Sequence, residues 1–134
     1  MKKILLSCLL FFAVPSVIAR QVPLIDPIEE PVGMTVSGNA SKENLKKALL
    51  TAGIKLGWVM QEEKDGGLVA MLPIRKHTVT VGIRYDAERF VVTYRDSVNL
   101  DYEVTSAGRE IHASYHKWVT NLLRETRAQL TSVR

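Results

Sequence analysis

Residues 78–85 read TVTVGIRY and residues 90–95 read FVVTYR. In the first run Val79, Val81, Ile83 and Tyr85 share one parity, and Thr78, Thr80, Gly82 and Arg84 the other. In the second, Phe90, Val92 and Tyr94 alternate with Val91, Thr93 and Arg95. Successive side chains of a strand point to opposite faces, so a period of two with one apolar parity predicts two half-buried antiparallel strands. Asp86-Ala87-Glu88-Arg89 is short and polar and serves as the turn between them.

Working outward, residues 68–74 and 58–63 are strand-like and are joined by Lys64-Asp65-Gly66-Gly67. Asp-Gly readily adopts positive φ, which makes this a hairpin signal. Pro73 places its strand near an edge or an end. Before these strands, Leu45, Ala48, Leu49, Ala52 and Leu56 recur at helical steps, with Ser41 as N-cap and Gly57 as a left-handed stop. After them, residues 96–108 read as a long polar connection. A second helix is expected from Arg109 or Glu110, with Ile111, Tyr115, Trp118, Val119 and Leu122 as its buried stripe. Both helices need an apolar surface and the sheet offers one. The predicted fold is α+β: a two-layer sandwich of helix, four-stranded antiparallel meander and helix, both helices on one sheet face.

Of the 134 residues, 46% are hydrophobic and 24% charged, which is globular composition in an amount suited to one domain. Residues 1–19 combine a basic head (Lys2, Lys3), an apolar run of about eleven residues and a small-residue end at Ala19, the pattern of a secretory signal peptide. The run is too short to span a bilayer, which takes ~20 residues. Leu5-Leu6-Ser7-Cys8 resembles a lipobox, but it lies too early in the apolar run, so a cut after Ala19 is expected and a lipid anchor is the alternative. Residues 20–40 carry Pro23, Pro27 and Pro31 with Gly33 and Gly38 and read as a flexible linker, leaving residues 41–134 as the domain. Without Lys2 and Lys3, the 18 basic residues fall to 16 against 14 acidic ones. A net charge of +2 gives no electrostatic argument for nucleic acid. Cys8 is the one cysteine, so the domain is expected to hold no disulfide.

Candidate chemistry is sparse. His112 and His116 are four apart and would share one face of the second helix, a spacing that suits a metal, but Ala113 stands where a metalloprotease has its glutamate. Two ligands fall short of the usual three or four, so no metal and no cofactor are expected. The polar run Tyr94-Arg95-Asp96-Ser97, continued by Asn99, Asp101 and Tyr102, could supply paired carboxylates in Asp96 and Asp101, or a nucleophile in Ser97 with His112 or His116 as base, but it lacks the context of a known catalytic motif. No catalytic residue is assigned. Tyr94, Arg95, Asp96, Ser97, Asn99, Tyr102, His112 and Tyr115 are the expected binding residues, with the sheet face bearing Thr78, Thr80, Arg84 and Thr93 as a second contact surface.

The runs HTVTV at 77–81, YRDSVNLDY at 94–102 and IHASYHKWVTNL at 111–122 resemble a family of small uncharacterised Gram-negative envelope proteins, often described as lipoproteins. The resemblance covers roughly residues 41–125 and implies an envelope location, with no activity attached to it. Together these readings give an exported, non-catalytic accessory or binding protein of the periplasm, its partner an envelope protein, peptide or glycan. The alternatives are a metal-binding or hydrolytic protein using His112 and His116, and a lipid-tethered protein with a protein partner.

Overall fold

A computed structural model describes residues 21–32 and 41–132. The leader, Cys8 and residues 33–40 of the expected linker lie outside the described residues. The fold is α+β, with two helices and two antiparallel sheets. In chain order the elements are β1 (Gln21–Pro23), β2 (Ile28–Pro31), α1 (Lys42–Lys55), β3 (Val59–Glu62), β4 (Leu68–Ile74), β5 (His77–Tyr85), β6 (Arg89–Val98), β7 (Glu103–Thr105), β8 (Gly108–His112) and α2 (Ser114–Ser132).

The expected meander is present as β3, β4, β5 and β6, but it is not the whole sheet. β2 adds a fifth strand against β6, giving the order β2-β6-β5-β4-β3. A second, three-stranded sheet has the order β1-β8-β7. Val79, Val81, Ile83, Phe90 and Val92 are buried, as their parity requires. They form one core cluster with Leu45, Ala48, Leu49 and Ala52 of α1 and Tyr115, Val119 and Leu122 of α2.

Four expectations need correction. Residues 21–32 are not a linker: β1 pairs Gln21 with His112, and β2 pairs Ile28 with Val92. Pro23 and Pro31 sit on strands that form the edges of the two sheets, where a missing N–H costs no ladder bond, and Pro27 lies between the two strands. The span 96–108 is not one connection, because β6 runs to Val98 and β7 turns through Ser106 and Ala107 into β8. The second helix therefore starts at Ser114, with Ile111 buried on a strand instead of on the helix. Trp118, expected in the core, is only half-buried against it.

Local chemistry explains the elements that match. Ser41 Oγ accepts from Asn44 N at 3.0 Å and caps α1; Gly57, at φ +90°, ends the helix where a side chain would strain. Gly53 lies inside the last turn because Met60 of β3 packs against it: an added Cβ would run into Met60 Sδ and Cγ. Alanine there should gain ~1 kcal/mol of helix propensity and lose ~1–3 kcal/mol by overpacking. Gly53→Ala is therefore expected to lower the urea midpoint, and a raised midpoint would show that Met60 moves aside freely.

Candidate functional site

The expected binding residues fall into two groups. The first begins at an irregularity in β6. Thr80 pairs with Asp96 and Val81 with Tyr94, so Arg95 is an extra residue in the ladder. A bulge of this kind resets the alternation. Tyr94 and Ser97, three apart, consequently come together, with 2.7 Å between Tyr94 Oη and Ser97 Oγ. Tyr94 stacks on Tyr102 at 4.6 Å between ring centroids and meets Tyr115 edge-on at 5.7 Å.

Residues that the sequence reading missed complete this cluster. Asp26 has a 6% exposed side chain; its Oδ1 accepts from Tyr94 N at 2.9 Å and its Oδ2 from Arg109 Nη2 at 2.7 Å. Hydrogen bonding to Asp26, and then to Tyr102, raises the Arg109 guanidinium further above its ordinary value. His116, on α2, accepts from Ile25 N at Nε2 (3.0 Å) and packs edge-on against Tyr115. Burial holds its pKa below the usual histidine value, which keeps the accepting nitrogen unprotonated. The cluster thus fastens residues 24–26, between β1 and β2, onto β6, β8 and α2. Both oxygens of Asp26 are engaged in structure, and Ser97 Oγ is engaged with Tyr94 in place of a histidine.

Two expected outcomes arise here. Tyr115 Oη is fully buried and has no hydrogen-bond partner among the described residues, and burial pushes its pKa up strongly. An unsatisfied buried hydroxyl costs ~1–3 kcal/mol. Tyr115→Phe is therefore expected to leave thermal stability unchanged or raise it, and a clear loss would mean that the hydroxyl has a partner. The depressed pKa of His116 sets a pH dependence. Below roughly pH 6.5 an unfolded chain's histidine takes up a proton while His116 in the fold resists it, so stability present at neutral pH falls on acidification. His116→Gln should flatten the melting temperature between pH 7.5 and 5.5, roughly one unit either side of that value; identical slopes would count against it.

The second group is scattered. Arg95 crosses the outer face of the five-stranded sheet: its Nη2 bonds Glu63 Oε1 at 2.5 Å, and its guanidinium fills the space that a Cβ on Gly82 would take. Asp96 Oδ1 accepts from Ser97 N at 2.8 Å. Asn99 donates to Lys76 O at 2.8 Å, and its carbonyl lies 2.6 Å from His77 Nδ1. The loop after β6 is therefore held by the turn between β4 and β5, while Leu100 O accepts from His112 N at 2.8 Å. The histidine pair does not share a helix face, because His112 ends β8. Its Nδ1 accepts from Ser114 N at 3.1 Å, at the start of α2. Among the described residues, no three or more His, Cys, Asp or Glu side chains are grouped to hold a metal ion.

A concave site lies elsewhere. Leu56 and Trp58, at the exit of α1, face Leu72 and Ile74 of β4 and Lys117, Trp118 and Asn121 of α2 across a groove of about 200 Å³. Trp58 and Trp118 are the only tryptophans in the chain. The His77 ring lies 5.8 Å from the Trp118 ring. The sequence reading placed Trp118 in the core because it falls on the edge of the α2 stripe, and a helical period cannot separate a core position from a groove wall.

No protein-family model, curated protein or solved structure matches the chain. Among the described residues no helix is long and apolar enough to cross a membrane.

Proposed function

We propose that the chain is a small exported, non-catalytic binding protein of the bacterial envelope that serves as an accessory to another envelope component. The observation that carries this reading is the groove between Trp58 and Trp118, a concave, largely apolar seat with a few polar groups at its rim, the usual make-up of a ligand site. The residues that looked chemical in the sequence support it from the other side. Tyr94, Asn99 and His116 make bonds that fasten one segment of the fold to another, while Ser97 bonds Tyr94 within β6 and His112 bonds the first residue of α2.

The outer sheet face is the second contact surface. Val59, Met71 and Val98 are exposed beside Thr78 and Thr80 there, and its ion pair between Arg95 and Glu63 is already formed. Export is supported by the basic, apolar and small-residue order of residues 1–19. Fractionation of cells expressing the full chain, with the intact mass of the mature protein, tests the reading. A periplasmic product beginning at Arg20 without lipid supports it. An uncleaved cytoplasmic product overturns it, and an acylated chain beginning at Cys8 replaces it with the lipid-tethered alternative.

A further inference from the structure

The geometry points to an acidic peptide segment as the ligand of the tryptophan groove, one large apolar side chain laid against the half-buried Trp118 ring over a floor formed by the buried Trp58 (3% exposed), and carboxylates laid against the nearby cations. This assignment rests on the binding role proposed above and specifies its ligand.

Size comes first. A groove of about 200 Å³ is smaller than the ~300–1,000 Å³ pockets that enclose drug-sized molecules. It accommodates a single ring or side chain and gives no room for an acyl chain to run on. Charge comes second. Lys117 lines the groove, and Arg124 lies two turns further along the same flank of α2, ~10 Å away along the helix. On the opposite wall, Arg75 and Lys76 form the turn that joins Ile74 to His77. All four cations are exposed, and none of them is in an ion pair among the described residues. The nearby acidic residue on that side of α2, Glu125, is neutralised by Lys55 at 2.8 Å. Elsewhere Lys46 is matched with Glu62, Arg84 with Asp65 and Arg89 with Glu29.

Of the seven basic residues outside any ion pair among the described residues, four (Arg75, Lys76, Lys117 and Arg124) thus lie on the two elements that wall the groove or on the turn beside it, and three (Lys42, Lys47 and Lys64) lie elsewhere. Lys117 lines the groove, and the other three stand further out on α2 and on the turn after β4, a spread that a single phosphate or headgroup cannot reach together. A peptide with acidic residues on both sides of an aromatic or leucine side chain can. The aromatic walls supply the anchor, and the spaced cations supply orientation and rate of encounter.

Because the only two tryptophans line the groove, their emission reports its occupancy. The test titrates the mature chain at low salt with a short synthetic peptide carrying phenylalanine flanked on both sides by aspartates. A saturable shift in emission is expected, weakened by salt. Replacing the peptide's phenylalanine by alanine, or its aspartates by lysines, should abolish it. Lys117→Glu, at an exposed position that leaves the fold intact, should weaken binding by about fivefold or more, the upper range for a surface ion pair. Asn121→Phe, which fills the groove, should block it. The assignment is overturned if the lysine peptide binds equally well, if Lys117→Glu has no effect, or if phosphatidylglycerol vesicles shift the emission and the acidic peptide does not. Any of these results with a correctly exported protein removes the ligand assignment alone, whereas a cytoplasmic product removes the reading beneath it.

Discussion

Asp26→Ala is expected to destabilise the fold by about 3 kcal/mol. The carboxylate is almost fully buried and holds two donors, Tyr94 N and Arg109 Nη2. Removing it leaves the Tyr94 amide without an acceptor, at ~1–3 kcal/mol, and strands the partly exposed Arg109 at a smaller cost. For a domain of this size, that corresponds to a fall in melting temperature of roughly 10 °C. Asp26→Asn retains an acceptor oxygen for Tyr94 N and should cost about half as much. Thermal unfolding of both variants, with the exchange rate of the Tyr94 amide, measures the effect. An alanine variant that melts with the wild type would mean that residues 24–26 do not dock as described.

A chain beginning at residue 33 should fare worse than one beginning at residue 20. The longer chain keeps β1 and β2; the shorter one loses both edge strands at once. It also loses Val32, buried in the core, and Leu24 and Ile28, packed against it. At ~1.5–3 kcal/mol for each fully buried aliphatic side chain, somewhat less for the partly buried pair, the loss is about 5 kcal/mol. That is of the order of the total stability of a small domain. The shorter chain is expected to lose cooperative unfolding at room temperature and to associate through the bared edges of β6 and β8. A folded monomer with a sharp melting transition would contradict this.

Both effects come from a segment that the sequence presents as dispensable. The central strands and α1 are legible because their signals are local: the alternation of Val79, Val81 and Ile83, the Asp65-Gly66 turn, and the Ser41 cap each lie within a few residues of what they specify. Residues 21–32 have no such signal. Gln21, Val22 and Pro23 become a strand only because Glu110, Ile111 and His112 lie beside them, some ninety positions later. Ile111 illustrates the same limit, since its spacing to Tyr115 fits a helix and its neighbours fit a strand. Tertiary pairing decides for the strand.

The polar residues behave similarly. Tyr94, Ser97, Tyr102 and Tyr115 are correctly gathered by their proximity in sequence, and the bulge at Arg95 is what turns Tyr94 and Ser97 towards each other. Asp26 and Arg109, which give the cluster its charge, could not be found without the fold. The groove was hidden for a different reason: Trp58 sits at the start of a strand and Trp118 on a helix flank, and nothing in either local pattern links them.

The pairing of β1 with β8 also constrains the order in which the molecule can be made. β1 has no partner until residues 110–112 have been made, and closing so long a loop is slow relative to forming local hairpins. A nascent chain must therefore stay incompletely folded until residue 112 has been added. That delay would suit the export proposed above, in which a polypeptide threads through a narrow translocation channel before it acquires its final shape.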